Sequence, residues 1–297
     1  MRGWNSIFVL AAVAVFATAP IARAANCPQA EISSAASDLQ DARNALMSLP
    51  VGKEGDTAIS RQMQTGIAEM KTHLASFILA YMRCQSDNAD TDGVEVDLSR
   101  LGWARSLEPG RAYRKDELPP LSDAPGWALT FNTRSLGQGL LGVSATFGIP
   151  CGSDTMLLIF QHGDNGWREI MRVASPPYRD IGQAYQAFDY ALSQPDDAGD
   201  WFLVEKHLPA ACESFNASIY YSVMRPGPSA LKPRLLFSGH DGIYWGDEDM
   251  GRLAAGTDSF ELRFHDYDAS GDALQEYVRR FSVMGQAVTP MKNPPPQ

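Results

Sequence analysis

Five histidines and four cysteines are few for a chain of 297 residues, and none of them falls in a spacing that holds a metal. There is no Cys-x-x-Cys pair and no His-Glu-x-x-His, so neither a thiolate zinc site nor a zincin helix is written in the chain. Gly-x-Ser-x-Gly and Gly-x-x-x-x-Gly-Lys are also missing, which removes a nucleophile elbow and a P-loop. Basic residues are outnumbered, 25 against 35 acidic for a net charge of −10, and no Lys/Arg cluster interleaves with aromatics. A phosphate backbone finds no electrostatic footprint there, so nucleic acid is not an expected partner. Beyond the N-terminus no stretch approaches the ~18 apolar residues that a helical span needs, so no membrane span is expected.

What is present begins with a leader. Arg2 opens residues 1–24, an apolar run fills 7–19, and Ala22-Arg23-Ala24 offers a small-x-small cleavage site, the pattern of an export signal peptide. Loss of Arg2 and Arg23 with that leader leaves 23 basic residues against 35 acidic, a net charge of −12. An exported chain, in the bacterial periplasm or secreted, has an oxidising environment, and its even number of cysteines then reads as two disulfides. Cys27 and Cys84 bracket a helical region, while Cys151 and Cys212 occupy equivalent loops of two repeats, so the expected pairs are Cys27 with Cys84 and Cys151 with Cys212.

Between the first pair the spacing is helical. Ile32, Ala36, Leu39, Leu46 and Leu49 recur at threes and fours until Pro50-Val51-Gly52. A second helix, capped by Asp56 or Thr57, carries Ile59, Met63, Ile67, Met70, Leu74, Phe77 and Tyr81 on one stripe. Residues 25–86 therefore predict an antiparallel helical hairpin, stapled at its open end, that must pack its apolar side on something else. Residues 87–126 read as a linker and surface-wrapping segment with one or two short strands, and 292–297, with three consecutive prolines, as a disordered tail.

From 127 to 291 the period changes to that of strands, and it repeats. Residues 127–132, 140–147, 156–160 and 167–173 form one group of four, with Gly163-Asp164-Asn165-Gly166 as a hairpin turn. About 60 residues on, 187–192, 201–208, 219–224 and 234–237 follow in the same order, and 251–255, 260–264, 277–283 and 287–291 form a looser third copy. Three four-stranded units imply a propeller-like stack or a sandwich, since a closed propeller takes about four to eight blades. The fold class is thus α+β, a stapled helical hairpin followed by a mainly antiparallel β-repeat domain.

Few residues could carry chemistry. His207 and His265 hold nearly equivalent positions in the second and third repeats, and His240-Asp241 follows a strand, so His207, His240, Asp241 and His265, with Asp266, could gather at one rim as a general-base site. Asp266, Asp268, Ser270 and Asp272, followed or spaced by Gly271, resemble the first half of a calcium loop, although position twelve is Tyr277 rather than a bidentate Glu. Trp103, Trp127, Trp167, Trp201 and Trp245 stand near strand starts, where they either stack on ligands or pack repeats together. The sequence expectation is non-catalytic binding in the envelope, to a protein or a cell-wall component, without a cofactor. The alternatives are a periplasmic hydrolase at the histidine rim and a calcium-stabilised structural domain.

Overall fold

A computed structural model describes residues 27–51, 57–86, 89–102, 105–106, 125–212, 216–244, 251–267, 271 and 273–292. Residues 1–26, most of 292–297, and Trp103 and Trp245 lie outside the described residues. Three helices come first: α1 Gln29–Met47, α2 Arg61–Met82 and α3 Thr91–Leu101. Three sheets follow in chain order. Sheet A comprises β1 Arg105–Ser106, β2 Thr130–Gly137, β3 Leu140–Ile149, β4 Gly152–Gly163 and β5 Gly166–Ala174. Sheet B comprises β6 Gln186–Leu192, β7 Leu203–Leu208, β8 Asn216–Arg225 and β9 Arg234–Tyr244. Sheet C comprises β10 Arg252–Ala255, β11 Ser259–Tyr267, β12 Leu274–Met284 and β13 Ala287–Pro290. Apart from the two-residue β1, which joins β2 in parallel, each sheet is a four-stranded antiparallel meander, as the repeat pattern predicts.

The layers are read from which alternate residues share a core. Along β4, Met156, Leu158 and Phe160 join the helices, while Leu157 and Ile159 meet Tyr190, Leu203 and Met224 of sheet B. A strand buried on both faces must be apolar throughout, and Met-Leu-Leu-Ile-Phe is. In sheet B, Leu203 faces A, whereas Phe202, Val204, Ile219, Tyr221 and Val223 pack with Phe260, Leu262, Phe264 and Phe281 of sheet C. The order is helices, A, B, C, and no fourth sheet closes a ring among the described residues.

Both ends of this stack are finished differently from its middle. At one end α2 is apolar on two sides, with the predicted stripe and also Gly66, Ala75, Ile78 and Met82 buried, because it lies between α1 and sheet A. Cys27–Cys84 joins the start of α1 to the end of α2, the predicted pair. At the other end the outer face of sheet C is laced by charge: Glu261 accepts from Arg263 and Arg280 at 2.6 Å each, and Arg263 reaches Glu276 at 3.3 Å. A polar outer face on a terminal repeat lets a stack stop without a neighbour.

Two local expectations are corrected. The cap of α2 is Ser60, whose hydroxyl accepts from the Met63 N–H, and not Asp56 or Thr57. Thr57 to Ile59 instead pair with the loop before β6, where Ile59 N–H donates to Arg179 O and Ile181 N–H to Thr57 O. Residues 91–101, read from sequence as part of a linker with short strands, form α3. Its Val94 and Leu98 are buried against β2, and Glu95 Oε2 accepts the Thr133 N–H, a strand-edge donor beyond the reach of β1. Burial raises the Glu95 carboxyl above its ordinary range, against that hydrogen bond.

Sheets A and B interlock through glycines. A methyl at Gly142 would collide with the Tyr190 hydroxyl, and one at Gly152 with the Gln186 side-chain carbonyl, so each missing side chain makes room for a residue of sheet B. Arg134 closes the same seam, donating to Tyr190 O at 2.6 Å and to Asp189 at 3.1 Å with its guanidinium over the Tyr190 ring. Cys151–Cys212, again the predicted pair, ties the β3–β4 turn to the segment after β7.

Candidate functional site

The polar groups that matter most are inside. Asp154 lies at the start of β4 and is fully buried. Lys71, from the α2 side facing sheet A, brings its Nζ to 2.6 Å of Asp154 Oδ2, with the Lys71 side chain 13% exposed. Ser175 donates to Asp154, Tyr178 OH donates to Oδ2 at 3.1 Å, and the Tyr185 N–H donates to Oδ1 at 3.1 Å. The Lys71 ammonium also donates to Ser175 Oγ and, at 3.2 Å, to Ser175 O, so its three protons have three acceptors. Burial and the neighbouring carboxylate push the Tyr178 hydroxyl far above its ordinary range. Ser175 and Lys71 are therefore not a free nucleophile and base; they are members of a saturated network that bolts α2 to sheet A. A small cavity of about 200 Å³ opens beside it, lined by Gln64, Ile67, Lys71, Ser175, Pro177 and Tyr178 among others.

The network continues into sheet B through Tyr185. Its ring lies 4.0 Å from that of His207, nearly parallel, and burial with Glu205 and Asp154 nearby raises its hydroxyl well above the usual tyrosine range. His207 pairs across strands with Tyr220, and Tyr220 with His240, giving near-parallel rings 5.6 Å apart at each step. On β7 the fully buried Glu205 holds His207 from within, Oε2 to Nδ1 at 2.9 Å, while Oε1 has no partner. Nδ1 is thus the ring nitrogen bonded to Glu205, and Nε2 faces away from that contact.

Of the candidates named from sequence, His207 and His240 are thus brought to one sheet face, with Tyr220 between them. Asp241 is not with them. Successive strand residues point to opposite faces, and Asp241 accepts from Tyr221 OH at 3.0 Å and from Arg279 at 2.8 Å on the side of sheet C. His265 sits across from Glu276 on the outer face of sheet C, its Nδ1 buried without a partner. Asp266 accepts the Tyr267 N–H. Asp268, Ser270 and Asp272 lie outside the described residues, and no group of three metal-ligating side chains occurs among the described ones. Trp167 packs edge-on against His162 and donates to Ser86 O at 3.0 Å, a packing role, while Trp127 is 46% exposed.

Lys71, Asp154, Ser175, Tyr178, Tyr185 and Glu205 were not singled out from sequence. The available signal was a charge inside an apolar strand: Asp154 before Met-Leu-Leu-Ile-Phe, and Glu205 within Phe-Leu-Val-Glu-Lys-His-Leu. A charge so placed needs a buried partner. No protein-family model matches the chain, and no curated protein or solved structure matches it, so its function has to be read from its own residues.

Proposed function

We propose that the chain is an exported, non-catalytic binding protein of the cell envelope, in which the capped stack is a rigid scaffold and a surface of the sheets makes the contact. The observation that supports this reading most is how the ionisable groups are used. Lys71, Asp154 and Ser175 saturate one another, and Asp241 is held by Tyr221 and Arg279. The two closed disulfides suit an oxidising compartment. Among the described residues no helix is long and apolar enough to cross a membrane. A protein partner is favoured over a glycan, because His207 and Tyr220, inside the row from Tyr185 to His240, spend their ring faces on their neighbours rather than offering them to a sugar.

One arrangement favours the hydrolase alternative: Glu205 orients His207 through Nδ1, as a general base would be oriented. A single experiment separates the two. The photo-crosslinking residue p-benzoylphenylalanine is placed at Asp38 on α1, Arg168 on β5, Ser238 on β9 or Met284 on β12, all exposed, and the protein is irradiated in intact envelopes. Binding predicts a defined adduct from at least one position. No adduct from any position would contradict it, and ester or amide hydrolysis by the purified chain that His207→Asn abolishes would replace it with the enzyme.

A further inference from the structure

An open stack of sheets has strand edges to protect, and most of those in this chain are protected. The β10 and β13 edges are four residues long. The β2 edge is covered by β1 and by α3, whose Glu95 accepts its Thr133 N–H. On β5 the Arg172 N–H donates to Ala230 O, so the β8–β9 loop covers that edge at Arg172. Arg134 takes the Tyr190 carbonyl on β6. The exception is β9, with 11 residues, where no backbone hydrogen bond arrives from any described residue outside β8. After a bulge at its start, residues 237–243 pair one to one with 217–223 and present a regular edge that no other described strand pairs with.

Around that edge apolar and basic side chains are exposed together. Leu231 is 64% and Leu235 58% exposed, and Tyr220 and His240 are exposed on the adjoining face. Between and beside the leucines, exposed Lys232 and Arg234 make no ion pair among the described residues. Across the strand pair Arg234 stands opposite Arg225, which is paired with Asp200, and Arg172, whose N–H meets the loop at Ala230, is paired with Glu169. Two unpaired cations with apolar anchors, in a chain of net charge −10, make a surface complementary to acid.

We infer that β9 is the recognition edge: an extended, acidic segment of a partner protein adds to it as a further strand of sheet B. Backbone bonds along 237–243 supply the affinity, Lys232 and Arg234 select negative charge, and Leu235 and Tyr220 take its apolar side chains. This inference rests on the binding reading above and adds the surface and the chemistry of the partner.

The test uses the full-length exported chain and a fluorescent seven-residue probe alternating Val with Glu or Asp, beside the same probe with Lys at the acidic positions. The acidic probe is expected to bind saturably by anisotropy and to slow amide exchange at 237–243. With Lys232→Glu plus Arg234→Glu, whose melting temperature should match the parent, binding should weaken about tenfold or more, and salt should weaken it in the parent alone. Equal binding of both probes, or of neither, overturns the inference. So does aggregation of the double variant without any probe preference in the parent, which would make the two cations guards against self-pairing. Concentration-dependent dimerisation through Ser238 would replace the acidic partner with a second copy and also overturn it. Envelope adducts from Asp38, Arg168 or Met284 but none from Ser238 would leave the binding reading intact and remove β9 from it.

Discussion

Asp154→Ala is expected to destabilise the fold by about 3–5 kcal/mol, the cost of breaking a buried ion pair by removing one partner. Lys71 would keep its charge with the carboxylate gone, and Tyr178 OH and the Tyr185 N–H would lose their acceptor. Because Lys71 retains 13% exposure, water relieves part of that cost and the lower end of the range is favoured. Urea unfolding followed by circular dichroism should show the midpoint fall with an unchanged slope. Lys71→Met combined with Asp154→Leu should recover only the part due to the unpaired Lys71 charge, since Ser175 Oγ, Tyr178 OH and the Tyr185 N–H still lack their acceptor. A single-variant loss under about 1 kcal/mol, the worth of an exposed pair, would mean that the network does not bolt the helices to sheet A.

Cys151→Ser with Cys212→Ser carries the second large expectation. The bridge spans 61 residues and crosses from sheet A to sheet B. The chain-entropy model gives such a loop about 4 kcal/mol. Because the seam it guards holds glycine cradles with little room to shift, the double variant should also lose the close fit of Tyr190 over Gly142. Thermal melts should show the loss without any reductant, and reduction of the parent should bring it to a similar value. A double variant as stable as the parent would show that the A–B seam holds without its bridge.

How far the sequence reaches is visible in these two cases. The number and order of the twelve meander strands follow from alternation, turn residues and repetition, but not all their bounds: β2 is Thr130–Gly137 rather than 127–132, and β9 is Arg234–Tyr244 rather than 234–237, so His240 and Asp241 lie within it. Both disulfides follow from equivalent loop positions and from the bracketing of the helices. The helical hairpin is legible for the same reason, since α1 and α2 keep apolar residues at threes and fours. In α3 the spacing of Val94, Leu98 and Leu101 was present too, but an acidic start and a glycine at 93 mask it as linker.

The site was less legible, since its members lie far apart in sequence. Lys71 and Asp154 belong to different domains of the chain as read from sequence, and nothing local to either announces the other. His207 and His240 were named, yet their grouping depends on register, which places Tyr220 directly between them. Register also separates His240 from Asp241, a pair that adjacency in sequence joins.

The helices and the sheets form one cooperative body, with α2 serving as the end layer of the stack. Native-state hydrogen exchange under increasing denaturant tests this directly. The slowest amides of α2, around Met70 and Leu74, and those of β4, around Leu158 and Ile159, are predicted to converge on the same opening free energy and the same denaturant dependence. Separate opening of α2 at a distinctly lower free energy, with β4 still protected, would contradict the capped stack and make the stapled hairpin a module of its own.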